Sequence, residues 1–490
     1  MRALFASLLM LITAVPAGAR QPDMVLTGTI DDSAHQTYVE LPFRVPPDVA
    51  ALTIEFEYTE RDQRTVIDLG LADPERFRGA SGGNKARFTL SESYATPSYL
   101  PGPIVPGEWK LMLGIPNIRK GVRSSYTARI SFGRDAGAKD FAAAPLSTQA
   151  RWYRGDFHAH TAHSDGSCAS MIGKRVPCPL YKSIKAASAR GLDFFTISEH
   201  NSQSHHQAMM ELQPYFDNML LVPGRELTTF YGHANMFGPT AFVDFRVGSE
   251  AVPSVNTMLL RARALGGLVS VNHPTVPSGE NCLGCGWVAP GTDWSLVQAI
   301  EVMNGGSVVA AKGIVESPLS GIPFWEKLLN KGNRLTAIGG SDNHDVLRDA
   351  NQPGLPTTVV FANGLSTAAL LDGVRSGRVF VDIDGTKDRL LEFSAETGNQ
   401  RADMGDTLKI RKSQMIWLTT RVVGAAGNRI EVIEHGASRS IIDSRLSLDK
   451  EDVTVRAAFT PRNASRWVRV NVRALDGRLL MIGNPIYFAR

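Results

Sequence analysis

The sequence predicts a mixed α/β domain in the middle of the chain, with an all-β domain on either side. Three observations support this architecture. Apolar and polar side chains alternate in several runs of residues 24–145, as they do on half-buried strands. The same alternation returns in residues 388–490. Between these regions, in residues 150–387, apolar strand-like runs alternate with stretches of helical spacing, which is typical of a parallel sheet with connecting helices.

The composition is that of an ordinary globular protein. The chain has 490 residues, of which 43% are hydrophobic and 20% are charged, so a full hydrophobic core is feasible. The net charge is +4 and the sequence contains no sustained run of lysine and arginine. We therefore expect no nucleic-acid partner.

The N-terminus has the features of a signal peptide at residues 1–19. Met1-Arg2 is a short positive region, residues 4–15 are an apolar run, and Ala17-Gly18-Ala19 is a small-residue cleavage site. A retained anchor is the alternative, but the run is shorter than the ~20 apolar residues that span a bilayer. We expect cleavage, no integral membrane segment in the mature chain, and a periplasmic or secreted location.

Four cysteines lie in the central region, and an even number in an exported protein suggests two disulfides. The local pairing would join Cys168 to Cys178 and Cys282 to Cys285. A zinc site with four thiolate ligands is the alternative. The ten-residue spacing of the first pair is unlike a zinc ribbon, so we favour disulfides.

The N-terminal region, residues 24–145, predicts a β-sandwich or jelly-roll-like domain. Its strand-like runs are separated by clusters of Pro, Gly, Asp and Asn, which are turn residues. The runs cover residues 37–41, 52–58, 108–113 and 126–132. The region has one histidine and no cluster that suggests chemistry, so a role in packing, carbohydrate binding or partner binding stays open.

The central region, residues 150–387, alternates strands and helices. We expect strands at residues 193–198, 219–223, 267–272, 299–303, 335–339 and 357–361. We expect helices at residues 179–190, 203–213, 254–265, 322–331 and 365–376. The alternation implies a parallel α/β domain, either open or closed into a barrel.

The C-terminal region, residues 388–490, returns to strand patterning and predicts a small Ig-like β domain. The runs cover residues 415–422, 429–433, 453–459 and 467–473. A last strand at residues 484–488 is expected to pack back onto the body of the protein.

The segment from Gly155 to Gly166 is the first candidate for a metal site. His158 and His160 alternate, so on an extended strand both imidazoles face the same side. Asp165 follows in a turn. Imidazole suits zinc and other transition metals, and carboxylate also suits manganese.

Further histidines and carboxylates follow the predicted strands of the central region. They are His200, Glu226, His233, His273, Asp342 and His344. Active sites of parallel α/β barrels are built at the C-terminal ends of the strands. Because buried unpaired carboxylates and imidazoles are costly, a shared metal cluster is the economical explanation for this recurrence.

Six motifs in order resemble the PHP (polymerase and histidinol phosphatase) superfamily. They are His-x-His-x-x-x-Ser-Asp-Gly from His158, Glu199-His200-Asn201, Pro223-Gly-x-Glu226, Gly232-His-x-Asn235, Asn272-His-Pro274 and Gly340-Ser-Asp-x-His344. The chain is also similar to the exported CehA/McbA-like branch. The resemblance covers residues 152–385 and implies a distorted (β/α)7 barrel that binds two or three divalent ions, either zinc, manganese or iron.

The resemblance also implies which residues bind each ion. His158, His160 and Asp342 would bind the first, and Glu226 would bridge to a second. The remaining ligands would be His233 and His273 for the second ion, and Asp165, His200 and His344 for the third. We expect Glu199, His163 and Asn235 to contact these ligands without binding a metal; Glu199 stands where the family usually has aspartate.

The predicted function is hydrolysis of a small-molecule ester, with a phosphoester as the first candidate. Glu226 would bridge the ions, and Arg225 would clamp the oxyanion because guanidinium matches phosphate oxygens; a surface ion pair is its alternative role. His344 or His163 would protonate the leaving oxygen. A carboxylic ester or a carbamate is the alternative substrate, and a carbohydrate- or partner-binding protein with a degenerate barrel is the non-enzymatic alternative. The oligomeric state is not predicted.

Overall fold

The computed structural model describes residues 21–134, 144–280, 282–347, 351–439, 447–462 and 464–489. The predicted signal peptide lies outside the described residues. The chain divides into two compact units, Met1–Asp135 and Ala136–Arg490. These are two units, whereas the sequence predicts three domains.

The first unit is a sandwich of two four-stranded antiparallel sheets. Its strands are β1 (Met24–Asp31), β2 (Thr37–Val45), β3 (Ala51–Tyr58), β4 (Val66–Ala72), β5 (Phe77–Ser81), β6 (Arg87–Ser91), β7 (Gly107–Asn117) and β8 (Arg123–Gly133). The sheets have the orders β1-β8-β3-β6 and β2-β7-β4-β5. Alternate side chains of both sheets, such as Ile54, Leu69 and Leu111, form one core.

The second unit contains both helices and strands. Its first part consists of β9 (Ser147–Asp156), β10 (Ser167–Ala169), β11 (Arg175–Pro177), α1 (Leu180–Ala189), β12 (Phe194–Ile197), α2 (His205–Leu212), β13 (Leu220–Thr229), β14 (Gly232–Phe237), α3 (Val255–Ala264), β15 (Leu268–Val271), β16 (Ala299–Asn304), α4 (Gly305–Ala310), α5 (Ile322–Asn330), β17 (Thr336–Gly340), β18 (Thr357–Leu365), α6 (Thr367–Arg375) and β19 (Val379–Asp382).

The second part of this unit consists of strands. They are β20 (Leu390–Thr397), β21 (Gln400–Asp403), β22 (Thr407–Lys409), β23 (Ile416–Val423), β24 (Arg429–Glu434), β25 (Ala437–Arg439), β26 (Asp452–Phe459), β27 (Trp467–Arg473), β28 (Leu479–Gly483) and β29 (Ile486–Ala489). One sheet of four, in the order β21-β20-β23-β26, stands apart from the main sheet.

The main sheet has the order β17-β16-β15-β14-β13-β12-β9-β18-β19-β28-β27-β24-β25. Beyond the ends of β9 and β17 the chain forms a parallel bridge between Ala159 and Asn343. The amide of Asp342 donates to the carbonyl of His158, and the amide of His160 donates to the carbonyl of Asn343, both at 2.9 Å. This bridge joins the first and last of seven consecutive strands near the candidate site.

The distorted (β/α)7 barrel that the family resemblance implies is not shown. Strand β14 runs antiparallel to both β13 and β15, and only a tight turn connects β13 to β14. Among the described residues, no α-helix separates β15 from β16. The fold is therefore described as mixed α/β and strand-rich, with several sheets.

Local sequence explains the central elements. Strand β12 is buried along its whole length because both faces of the sheet are covered there. Helix α3 is preceded by Ser254, whose side chain accepts a hydrogen bond from the amide of Thr257 and so caps the helix. In α5 the buried residues Ile322, Trp325, Leu328 and Leu329 recur at helical spacing and form one apolar face.

The predicted boundary at residue 387 falls inside the second unit. Strand β19 pairs with β28, so the main sheet continues from the central region into the C-terminal one. The last strand, β29, pairs with β27 and with β22. The division into a barrel of residues 150–387 and an Ig-like domain of residues 388–490 stays a prediction.

Both cysteine pairs lie at disulfide distance. Cys168 pairs with Cys178 at a Cα–Cα distance of 4.9 Å, and Cys282 pairs with Cys285 at 5.6 Å. This is the local pairing that the spacing favoured. Such pairs are typical of oxidising compartments. None of the described helices is both long and apolar enough to span a bilayer.

Candidate metal centre

The predicted ligands converge where the central strands end. His158 and His160 follow β9, His200 follows β12, His273 follows β15, and Asp342 follows β17. Four groups of side chains could each hold an ion: His160, Asp165, His200 and His344; His158, His160 and Asp342; His158, Glu226 and His273; and His200, Glu226 and His233.

The group formed by His158, His160 and Asp342 has the spacing of metal ligands. The two imidazole Nε2 atoms are 3.1 Å apart, and they lie 3.3 Å and 3.1 Å from Oδ1 of Asp342. Zinc binds imidazole nitrogen and carboxylate oxygen at about 2.0–2.1 Å, so the ligands of a tetrahedral site are about 3.3–3.4 Å apart. The three atoms are therefore separated as they would be around one ion.

The carboxylate of Glu226 lies at the centre of the cluster. Five imidazoles approach it within 3.5 Å, those of His158, His160, His200, His233 and His273. Its two oxygens face different sets of imidazoles, since Oε1 lies 3.4 Å from both His233 and His273 while Oε2 lies 2.8 Å from His200. A carboxylate in this position can bridge two ions.

Asp165 lies at the solvent-facing side of the cluster. Its Oδ1 is 3.3 Å from Nε2 of His344, and its Oδ2 is 3.7 Å from Nε2 of His200. The rings of His200 and His344 each stack on that of His160, at centroid distances of 4.3 Å and 4.2 Å. The predicted third group is thus continuous with the first through His160.

Buried atoms without hydrogen bonds provide a test of whether a cation fits. Neither Oε2 of Glu226 nor Nδ1 of His233 is satisfied by a hydrogen bond among the described residues, although Nδ1 of His200 lies close to the former. Leaving such groups unpaired costs about 1–3 kcal/mol each. Divalent ions bound to these oxygen and nitrogen atoms would remove that cost, so the residues fit a metal cluster.

The electrostatics of the cluster keep its carboxylates ionised. Burial raises the pKa of Glu226, but the charges of His200, His158 and His233 outweigh it and hold the pKa well below its usual range. The pKa of Asp342 is also well below its usual range, because the charge of His158 and a hydrogen bond with His160 outweigh burial. Ionised carboxylates are the form that binds a metal.

The histidines of the cluster differ in their pKa values. Burial, reinforced by the charges of His344 and His200, lowers the pKa of His160 to about 3. Burial also lowers the pKa of His344, but a hydrogen bond with Asp165 and the charge of Asp342 raise it to about 9. His160 is therefore neutral at pH 7, as a metal ligand must be, and His344 is protonated in the metal-free protein.

Several residues that hold the ligands were not predicted from the sequence. Glu301 accepts a hydrogen bond from Nδ1 of His158 at 2.9 Å and another from the amide of His273 at 3.0 Å. Asn304 donates to Glu301 at 2.9 Å and to Asp342 at 3.2 Å. The signal was present: Glu301 is a carboxylate in the middle of an apolar strand-like run, and such a buried group needs partners.

Asp156 and Asn272 also act on the ligand segments. Asp156 accepts hydrogen bonds from the amides of His158 and Ser341 at 3.0 Å each, so it ties together the segments that follow β9 and β17. Asn272 donates to Oε1 of Glu226 at 2.8 Å. Both residues hold ligands in place without facing the cluster as ligands themselves.

The three residues expected to contact the ligands act on other groups. Glu199 accepts hydrogen bonds from the hydroxyls of Thr161 and Ser164, and the latter hydroxyl lies 3.5 Å from Nδ1 of His160. The side-chain amide of Asn235 donates to the carbonyl of Phe157 at 3.2 Å, beside the first ligand segment. Nδ1 of His163 is hydrogen-bonded to Ser204 Oγ at 2.8 Å.

The prediction that Arg225 clamps an oxyanion is wrong. Its guanidinium donates to Gln203 at 3.1 Å and to the carbonyl of Ala241 at 2.5 Å, and lies over the ring of Phe242. Neighbouring residues of a strand point to opposite faces, so Arg225 faces away from the cluster that Glu226 faces. Arg225 is also buried, which lowers its pKa to about 10 and rules out the alternative of a surface ion pair.

His205 and His206 are both buried. The Nε2 atom of each lies within hydrogen-bond distance of the carbonyl of Gly224, at 2.9 Å and 3.1 Å. Burial lowers the pKa of both, that of His206 to about 3. They stabilise β13 two residues before Glu226 rather than extending the cluster.

A cleft of about 640 Å³ opens onto the cluster. Its lining includes the ligands His273, Asp342 and His344. Five apolar residues also line it, namely Val276, Pro277, Val309, Ala310 and Leu319. Arg175 is the one arginine or lysine among the described residues that line the cleft.

No family model matches the chain, and no curated protein matches it. A solved two-domain protein from Bacteroides vulgatus, described as containing a predicted PHP-like metal-dependent phosphoesterase, is similar at 17% identity over 69% of this chain and 95% of that chain, with a TM-score of 0.38. The Yersinia pseudotuberculosis-derived mitogen matches 23% of this chain and 89% of its own at 14% identity, with a TM-score of 0.15. Because both scores are below 0.5, we base no conclusion about fold or activity on either structure.

Proposed function

We propose that this protein is a metal-dependent hydrolase of ester bonds, and specifically a phosphoesterase. The observation that carries the proposal is the position of Glu226, one buried carboxylate surrounded by five imidazoles. A buried carboxylate can be balanced by one protonated imidazole, so five imidazoles exceed what an ion pair needs. They match the ligand requirement of a cluster of divalent ions.

In the proposed cluster, each ion has its own ligands, as the resemblance to the PHP superfamily implies. His158, His160 and Asp342 bind one ion, and His233 and His273 bind a second that shares Glu226. Asp165, His200 and His344 bind a third where it is present. Divalent zinc, manganese or iron would supply Lewis acidity, which lowers the pKa of water and neutralises charge on an ester. The distorted barrel is part of this proposal, and the bridge between Ala159 and Asn343 supports it.

The residues of the chain supply orientation and a proton. Glu301 fixes the ring of His158 through Nδ1, so that Nε2 presents its lone pair to the cluster. When only two ions are bound, His344 is the proposed proton donor to the leaving oxygen, because its Nδ1 donates to the carbonyl of Asp342 and its Nε2 lies 3.3 Å from the Asp165 carboxylate, which favours the protonated imidazole. His344 also lines the cleft, where a substrate would lie.

A carboxylic ester or a carbamate is the second candidate substrate, and the cleft provides the observation that favours it. Phosphate monoesters carry up to two negative charges and are usually bound by several cationic groups. Among the described lining residues, Arg175 is the one arginine or lysine, and five of the others are apolar. An uncharged ester would lose less solvation on entering this cleft.

Parallel assays separate these substrates. The purified protein is loaded with zinc, manganese or iron and tested with p-nitrophenyl phosphate, bis-p-nitrophenyl phosphate and a naphthyl carbamate. Turnover of either phosphate that is lost in Asp342→Ala supports the phosphoesterase. Turnover of the carbamate alone favours the second candidate, and fewer than one equivalent of bound metal would refute the hydrolase proposal.

We also propose that the protein is exported to the periplasm or secreted. Residues 1–19 have the features of a signal peptide, and the two cysteine pairs at disulfide distance are typical of an oxidising compartment. Expression with the full N-terminus, followed by N-terminal sequencing of the exported chain, tests this proposal. Cleavage after Ala19 is expected, and a chain that keeps Met1 would contradict it.

A further inference from the structure

A loop closed by a disulfide holds one of the proposed ligands. Nε2 of His233 lies 3.1 Å from the carbonyl oxygen of Leu283, and Nδ1 lies 3.4 Å from Oε1 of Glu226. Because a carbonyl can only accept a hydrogen bond, Nε2 must carry the proton. Nδ1 is then left with a free lone pair that faces the cluster. The Leu283 carbonyl therefore selects the tautomer in which His233 can bind a metal.

The Cys282–Cys285 disulfide closes the loop that presents this carbonyl, next to two backbone hydrogen bonds between Gly279 and Cys282. Leu283 and Gly284 are the only residues between the two cysteines. Gly284 has a φ of +75°, and a Cβ atom there would lie 2.2 Å from the carbonyl oxygen of Thr229, so the loop packs tightly on the turn that precedes β14. The side chain of Leu283 is 70% exposed, so its burial cannot hold the loop.

The two disulfides differ in their access to solvent. Cys168 and Cys178 are both buried. Cys282 is half-buried and lines the cleft that opens onto the cluster, whereas its partner Cys285 is buried. A small reductant that enters the cleft can therefore reach Cys282 before it reaches either cysteine of the first pair.

We propose that the Cys282–Cys285 disulfide is a redox switch that controls metal binding by His233. In the oxidised protein the closed loop presents the Leu283 carbonyl to the imidazole. An external dithiol would reduce the disulfide, giving up two electrons and two protons to the two cysteines and becoming a disulfide itself. The opened loop would release the carbonyl, and His233 would lose its fixed tautomer and orientation.

The effect is expected on metal affinity rather than on the fold. Loss of a group that orients a ligand weakens metal binding about 10- to 100-fold. The inference rests on the proposed function for the identity of the ligands, but metal binding can be measured without any substrate. Absence of ester turnover would therefore refute the hydrolase proposal, while unchanged metal affinity would refute this one.

The experiment compares two double variants of the full chain. Zinc affinity is measured by competition with a fluorescent chelator, and the fold is checked by circular dichroism. We expect Cys282→Ser/Cys285→Ser to bind one equivalent 10- to 100-fold more weakly and the others as the wild type does. Cys168→Ser/Cys178→Ser is the comparison variant: that pair closes the segment after Asp165, so any loss there should fall on the ion of Asp165, His200 and His344 and disappear in Asp165→Asn, whereas the loss in the first variant should persist in Asp165→Asn. A folded first variant with all affinities within threefold of wild type would overturn the proposal.

A second measurement applies if the first variant fails to fold. Wild-type protein is treated with a water-soluble phosphine, which takes the oxygen of one water while the disulfide becomes two thiols. The phosphine is removed, the new thiols are counted with a chromogenic disulfide, and the bound metal is measured. Two new thiols with the loss of one equivalent support the proposal, and two new thiols with all the metal retained contradict it.

Discussion

Replacing Glu301 with glutamine tests whether a residue that touches no metal controls metal binding. The carboxylate receives three hydrogen bonds, from Nδ1 of His158 on one oxygen and from the amide of His273 and the side chain of Asn304 on the other. Glutamine has nearly the same shape but only one oxygen. In one orientation of the glutamine amide its NH2 group faces Nδ1 of His158. In the other orientation it faces the amide of His273 and the side chain of Asn304.

The cost of this mismatch gives the expected magnitude. One buried donor without an acceptor costs about 1–3 kcal/mol, and His158 can avoid the cost only by moving its proton to Nε2 or turning its ring. Either change removes a ligand atom from the first ion. Since about 1.4 kcal/mol corresponds to a factor of ten, Glu301→Gln should weaken binding of that ion about 10- to 100-fold.

The assay is competition between the protein and a chelator of known zinc affinity, with the metal-free fold monitored by circular dichroism. Glu434→Gln is the matched control, because Glu434 is equally buried and accepts hydrogen bonds from the amide of Arg462 and the hydroxyl of Ser465, both at 2.6 Å. It should lower stability without changing metal affinity. A folded Glu301→Gln protein with wild-type affinity would show that the ring of His158 is held by other groups.

Three further predictions concern the cluster and its surroundings. Glu226→Gln should bind less metal than the wild type by more than one equivalent, and its turnover should fall at least 1,000-fold, because the carboxylate faces both proposed ions. Metal analysis and kinetics measure the two effects, and wild-type metal content or wild-type turnover would contradict the prediction. Asp165→Asn should bind at most one equivalent of metal less than the wild type. Titration with a chelator measures this, and the loss of more than one equivalent would contradict the prediction. His206 has a folded pKa of about 3, below its unfolded value, so the stability that it contributes is present above about pH 6.5 and is lost as the pH falls. The free energy of unfolding should decrease by about 2 kcal/mol between pH 7 and pH 5 on this account, and His206→Gln should remove that part of the dependence in urea titrations.

Much of the second unit could be predicted because its elements have strong local patterns. The predicted helix at residues 254–265 is observed as Val255–Ala264, and the strand at residues 299–303 as Ala299–Asn304. No strand is predicted at β14, where the sequence shows only the Gly232-His-x-Asn235 motif. Strand β14 pairs antiparallel with β13 and β15. So short a run has no side-chain periodicity from which this pairing could be predicted.

The error about Arg225 has a different origin. The residue was interpreted by its charge and its closeness in sequence to Glu226, although the alternation of a strand places consecutive side chains on opposite faces. The role of Glu301 could be suspected from one carboxylate in an apolar run, but its partner His158 is 143 residues away.

The sequence by itself determined the residue chemistry and the local structure of this protein. Histidines and carboxylates follow buried strands, and that order follows from side-chain periodicity and needs no knowledge of the fold. The tertiary structure is needed to see which of these histidines and carboxylates meet at Glu226 and which residues hold them in place. It is also needed to see how the C-terminal strands continue the main sheet. Those features depend on contacts between residues distant in the chain, and such contacts are set by strand pairing and close packing rather than by neighbouring residues.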